Sequence, residues 1–170
     1  MSNSFIRNII RFIVLIALQV LVLNEMNLGG YINPYVYLLF ILLLPGNINK
    51  SLLLILSFFT GMVMDIFGNT PGLHTAATVM MGYFRPGTLN LFFPQIEFSG
   101  EDEPGPSLLG LGGFFRYTLV LVFLHHLLLF MLEVMSFSNF MQTLYSIVLS
   151  TLTTTLLIMI LVMFFSKRKV

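Results

Sequence analysis

Few side chains in this sequence can do chemistry, and those that can lie in apolar surroundings. His125 and His126 are adjacent within FFRYTLVLVFLHHLLLFMLEV, residues 114–134. Neighbouring residues point about 100° apart on a helix, so this pair cannot chelate one metal as an i, i+4 pair can. His126 and Glu133 share a face two turns apart, a polar track. Ionisable groups inside a membrane segment mark a ligand or proton site by default. The alternative is a neutral histidine hydrogen-bonded to a neighbouring helix, and both readings stay open. Asp65 sits near the end of another apolar run, and His74 opens the next. The chain holds no G-x-S-x-G, H-E-x-x-H, phosphate loop or carboxylate pair at helical spacing within an apolar run. It has no cysteine, which removes disulfides, zinc–thiolate sites and thiol chemistry. The expectation is a protein without catalytic, cofactor-binding or metal-ligating residues.

The elements that must position these groups are membrane helices. The chain is 57% hydrophobic and 9% charged over 170 residues, with a mean hydropathy of +0.95. Soluble domains carry about a quarter charged residues, so this is an integral membrane protein. A net charge of +1 and the lack of a basic block interleaved with aromatics speak against nucleic acid. A hydrocarbon core needs about 20 helical residues. Six spans fit: Ile6–Leu23, Pro34–Ile48, Ser51–Phe67, Pro71–Phe84, Phe114–Val134 and Phe140–Phe165. The second is short; it either kinks through Pro45 or is re-entrant. The fold expected is an all-α integral membrane bundle of six helices. One domain covers residues 1–170, with a long Gly- and Pro-rich loop over 86–113. NEMNLGG after the first run offers no small-x-small cleavage site, which reads as an uncleaved first span.

Charge orients the spans. Arg7, Arg11, Lys50, Arg85, Arg116, Lys167, Arg168 and Lys169 all fall on one side of a six-span arrangement, and loops 24–33, 68–70 and 135–139 hold no basic residue. Lys and Arg concentrate on the cytoplasmic side, so both termini and the 86–113 loop are expected there. The terminal KRK faces lipid phosphates. Ser146, Ser150 and Thr154 form a stripe on the last span, with Thr151 and Thr155 beside it; small hydroxyl residues of this kind let helices approach and bond across.

The hairpin FFTGMVMDIFGNTPGLHTA, residues 58–76, holds the most information. Gly61 and Asp65 share a face, with Gly61 admitting a close neighbour. Gly68 is placed to end the helix, and Thr70-Pro71 to start the next as N-cap and first residue. Asp65 lies in the last turn of its own helix, where the dipole disfavours negative charge. The start of the following helix, across the turn, is where a carboxylate is favoured. Asp65 is therefore expected to accept bonds from that helix start, or from His74, and lock the hairpin. A charged contact for a partner is the alternative.

Residues 32–86 resemble the rod shape-determining protein MreD family. The resemblance rests on Pro34, Leu44-Pro45, Gly61, Asp65, Gly68 and Gly72-Leu73, in order and at spacing, over about a third of the chain. It implies a non-catalytic subunit of the cell-elongation machinery in the bacterial cytoplasmic membrane. Its implied partner is the single-span protein MreC, and through it the actin-like MreB and the sidewall glycan polymerase and transpeptidase. It also implies a fold similar to the substrate-binding S-components of vitamin ECF transporters. A vitamin-binding transporter subunit is thus the alternative function, although FIVLIALQVLVL lacks the A-x-x-x-A patch expected of one. The 86–113 loop is longer than the family leads one to expect.

Overall fold

The computed structural model describes residues 3–26, 32–134 and 140–165. The expected loop 135–139, residues 27–31 of the first loop, and Lys167, Arg168 and Lys169 lie outside the described residues. Among the described residues the chain is all helical, with no strand. The elements are α1 (Asn3–Leu18), continued by a π-helical turn over Gln19–Leu23, then α2 (Leu38–Leu42), α3 (Lys50–Gly68), α4 (Leu73–Phe92), α5 (Pro106–Val134) and α6 (Phe140–Phe165). Four stretches are long and apolar enough to cross a membrane: Phe5–Leu23, Lys50–Gly68, Pro106–Val134 and Phe140–Phe164. Large apolar side chains such as Ile13, Leu21, Ile66, Leu152 and Phe164 are exposed along them, the pattern of a lipid-facing surface rather than a watery one.

The bundle α3–α6 packs in chain order. Helices α3 and α4 are antiparallel and unusually close: a Cβ on Gly61 would fall 2.4 Å from Thr75 Cα, and one on Gly82 would meet Ser57 Oγ. Ser57 and Gly61 therefore form a small-residue seam that admits the neighbouring backbone.

The second expected span is not a crossing helix. Only Leu38–Leu42 is helical, flanked by irregular backbone from Asn33 and onward through Asn49. Every residue from Val36 to Leu44 is at most 8% exposed, so the segment runs through the centre of the molecule. Pro34 and Pro45 bracket it; neither supplies an N–H, and each biases its predecessor away from helix.

The loop 86–113 is also corrected. Helix α4 continues through Pro86 to Phe92 and α5 starts at Pro106, leaving 93–105 between them. Packing overrides the glycine-rich composition here. Leu109 is buried, and the Phe93 ring lies over Gly113 where a Cβ would sit 2.9 Å from it. The helix tolerates the early glycines with a kink at Gly110, φ 70°.

Candidate functional site

The hairpin between α3 and α4 closes on one carboxylate. Asp65 Oδ1 accepts from Thr70 Oγ1 at 2.6 Å and from His74 N–H at 2.9 Å. Its Oδ2 accepts from Thr75 N–H at 2.9 Å and Thr75 Oγ1 at 2.6 Å. Helix α4 begins at Leu73 rather than after Thr70-Pro71, with Gly72 as N-cap at φ 84°. A glycine cap has no side chain to offer. The N–H groups of His74 and Thr75, which a capping side chain ordinarily takes, are taken from the opposite helix by Asp65. The bond from His74 runs through its backbone, not its imidazole. Helix α3 extends through Gly68 and ends on Asn69 in the left-handed region, φ 51°, which asparagine tolerates better than most residues.

A second arrangement surrounds the central segment 33–45. Non-helical backbone at membrane depth must find partners inside the protein, and polar side chains from four helices supply them. Gln19, fully buried at the π turn, donates from Nε2 to Pro34 O at 2.9 Å and accepts at Oε1 from Val36 N–H at 2.8 Å. Ser150 and Thr154 of α6 accept from Asn33 N–H and Tyr35 N–H at 2.9 and 3.0 Å. At the other end Arg85 of α4, fully buried, donates to the carbonyls of Leu42, Leu44 and Pro45 and through Nε to Tyr117 Oη at 2.9 Å. Tyr117 of α5 donates to Leu42 O at 3.0 Å, and Arg11 of α1 reaches Leu43 O. Among the described residues no carboxylate pairs with Arg85; carbonyl dipoles at the end of α2 carry its charge.

The histidines belong to the same clasp. His126 Nδ1 lies 2.8 Å from Val122 O, where it donates, and Nε2 lies 3.4 Å from both Asn33 O and Thr154 Oγ1. His125 Nε2 is 2.9 Å from Tyr37 Oη, which also lies 3.2 Å from His74 Nδ1 and from Thr78 Oγ1. Three imidazoles and two tyrosines thus interlock, with Tyr35 edge-on to His74 at 5.0 Å between ring centroids. Glu133 is exposed near the end of α5, and no hydrogen bond among the described residues joins it to this cluster. No group of three metal-ligating side chains forms among the described residues.

The structure brings His74, His125 and His126 together around Tyr35 and Tyr37, and ties Gly61, Asp65, Gly72 and His74 into one hairpin. Gln19, Tyr37, Arg85 and Tyr117 are the residues that sequence reading misses. A glutamine inside FIVLIALQVLVL is a legible anomaly; Arg85, in the loop-like RPG, is not.

Comparison of the chain with protein-family models, with curated proteins and with solved structures returns no match.

Proposed function

We propose that the chain is a non-enzymatic scaffold subunit of the bacterial cell-elongation machinery, of the MreD type, binding MreC and supporting sidewall peptidoglycan synthesis. The observation that carries the reading is the use of its polar groups. The carboxylate of Asp65 is saturated by four donors of the α3–α4 hairpin, and the interior polar side chains hold the protein's own segment 33–45. Asp65 and the side chains around segment 33–45 are engaged with the protein's own backbone, which suits a scaffold, although among the described residues His125 Nδ1 and the Thr118, Thr151 and Thr155 hydroxyls are buried without a hydrogen bond. The hairpin is also where the MreD resemblance is densest. On this reading the protein has its basic ends in the cytoplasm of a bacterium and an S-component-like arrangement of helices.

The vitamin-transporter alternative needs polar side chains converging on an empty outward cavity. Tyr35, Tyr37, His74 and His125 converge instead on one another. Affinity purification in mild detergent separates the two. Recovery of MreC with the sidewall polymerase and transpeptidase is the expected result; recovery of a transporter T-component with paired ATPases overturns the proposal. Depletion in the native host is expected to turn rods into spheres, with rescue by the intact chain.

A further inference from the structure

The two halves of α1 are held differently. Leu15 and Ile16 are buried on the central segment, and Gln19 is bonded into it. In the first half, Phe5, Ile6, Ile9, Ile10, Ile13 and Val14 are all more than 40% exposed. Phe12 packs inward there, edge-on to Phe40 at 5.1 Å between ring centroids. On the α3 side an open groove of about 690 Å³ leaves this half room to move.

The first half is fastened by Glu103 of the segment 93–105. Its Oε1 lies 2.8 Å from Arg7 Nη2, and Arg11 spans both carboxylate oxygens at 3.2 and 2.8 Å. The segment itself is anchored without α1. Asp102 O accepts from Gly46 N–H, the Phe98 ring lies against Gly46, and Pro104 and Gly105 are buried. Glu103 therefore pins α1 to a fixed strap, and the ion pairs are the exchangeable part of that tie. Arg11 also donates to Asn8 Oδ1 and Leu43 O, whereas the Arg7 side chain is half exposed, so exchange begins at Arg7.

The competing oxyanion is set by where these groups lie. Arg7 stands among lipid-facing side chains, in the first turn of an apolar stretch that starts at Phe5. A guanidinium at that depth reaches the headgroup layer, and a phosphate offers it the two-oxygen geometry that a carboxylate does. Lys50 is exposed at the start of α3, at the same end of the molecule. The attraction of a basic residue to an anionic membrane surface is of the same order as an exposed ion pair. Neither partner dominates, so lipid composition decides between them.

We propose that Arg7 and Arg11 form a binding site for the phosphate of an anionic phospholipid headgroup, with Glu103 as the resident competitor. Anionic lipid draws the two guanidiniums off Glu103 and frees the first half of α1 from the strap; in its absence the helix stays pinned. The inference goes beyond the scaffold reading and does not depend on it.

The chain has no cysteine, so spin labels on Ile6→Cys and Gln95→Cys, both exposed, report the gap between α1 and the strap. In nanodiscs of phosphatidylcholine the distance distribution is expected to be narrow. In an equimolar mixture with phosphatidylglycerol it is expected to broaden, with a longer mean. Glu103→Gln should be broad in both lipids. Native mass spectrometry of the folded protein supplies a second readout with opposite signs. Glu103→Gln, which removes the competitor, is expected to retain several-fold more phosphatidylglycerol than the parent chain, and Arg7→Gln with Arg11→Gln several-fold less. A distance that ignores phosphatidylglycerol, a narrow distribution for Glu103→Gln, or retention that falls in both variants overturns the proposal. Inorganic phosphate added to the phosphatidylcholine discs separates the two sources of the oxyanion. Broadening as large as that from lipid would make the trigger free phosphate or screening, and would also overturn the assignment to a headgroup.

Discussion

At the scale of single residues, the buried charges of Asp65 and Arg85 close backbone. Asp65→Ala leaves the N–H groups of His74 and Thr75 without acceptors, and an unsatisfied buried donor costs about 1–3 kcal/mol. The purified variant is expected to unfold at lower temperature in detergent, with reduced folded yield and, in consequence, less complex. Asp65→Asn keeps one accepting oxygen and should fall between. Normal stability with lost MreC binding would make Asp65 a partner contact instead. Arg85 and Tyr117 share Leu42 O and bond each other, so their losses should not add. A double-mutant cycle with Arg85→Leu and Tyr117→Phe, read by thermal unfolding, is expected to show coupling of about 0.5–3 kcal/mol, as for residues in one network. The role of Asp65 was legible because a carboxylate in the last turn of its own helix must look elsewhere for positive charge. That of Arg85 was not. Arg-Pro-Gly reads as a helix end, and only the packing of α4 against α5 carries the helix past Pro86.

At the scale of elements, the central segment decides what the surrounding helices contain. The hydroxyl stripe of α6 reads in sequence as a helix–helix seam, and the structure uses it to hold non-helical backbone. This separates two adjacent pairs of residues. Ser150 and Thr154 accept from Asn33 and Tyr35 N–H groups, whereas the buried Thr151 and Thr155 hydroxyls have no partner among the described residues. Ser150→Ala with Thr154→Ala is expected to destabilise by about 1–3 kcal/mol, since two backbone donors lose their acceptors. Thr151→Ala with Thr155→Ala removes groups that bond nothing and should be neutral or slightly stabilising. Thermal unfolding of the two double variants side by side checks the contrast, and equal losses would refute the clasp. Helices α1, α3 and α6 were legible from their apolar runs because each faces lipid over much of its surface. The segment 33–45 was half legible. Its two prolines announced a break, but apolar side chains buried on all sides carry no period to tell helix from irregular chain. Its partners were out of reach because Gln19, Arg85 and Ser150 are distant in sequence.

At the scale of the whole molecule, the contacts divide the chain between two ends without reference to any membrane. The start of α1 and the segment 93–105 share one end through Arg7, Arg11 and Glu103, and the start of α3 joins them because Gly46 N–H donates to Asp102 O at 2.9 Å. The hairpin Asn69–Gly72, one helix length away along α3, therefore lies at the other end. Arg7, Arg11 and Lys50 cluster at the first end, and the second end has Asp65 and no basic residue in its turn. Because Lys and Arg concentrate in cytoplasmic flanks, we propose that the first end is cytoplasmic and the hairpin external. Arg85 drops out of this tally, since it is buried in the bundle and reports on the clasp rather than on orientation. The absence of cysteine makes the test direct: a single cysteine at Asn69 or at Gly100, both outside the helices, is treated with a membrane-impermeant maleimide on intact spheroplasts. Labelling is expected at Asn69 before lysis and at Gly100 only after it. Labelling of Gly100 alone before lysis would invert the molecule.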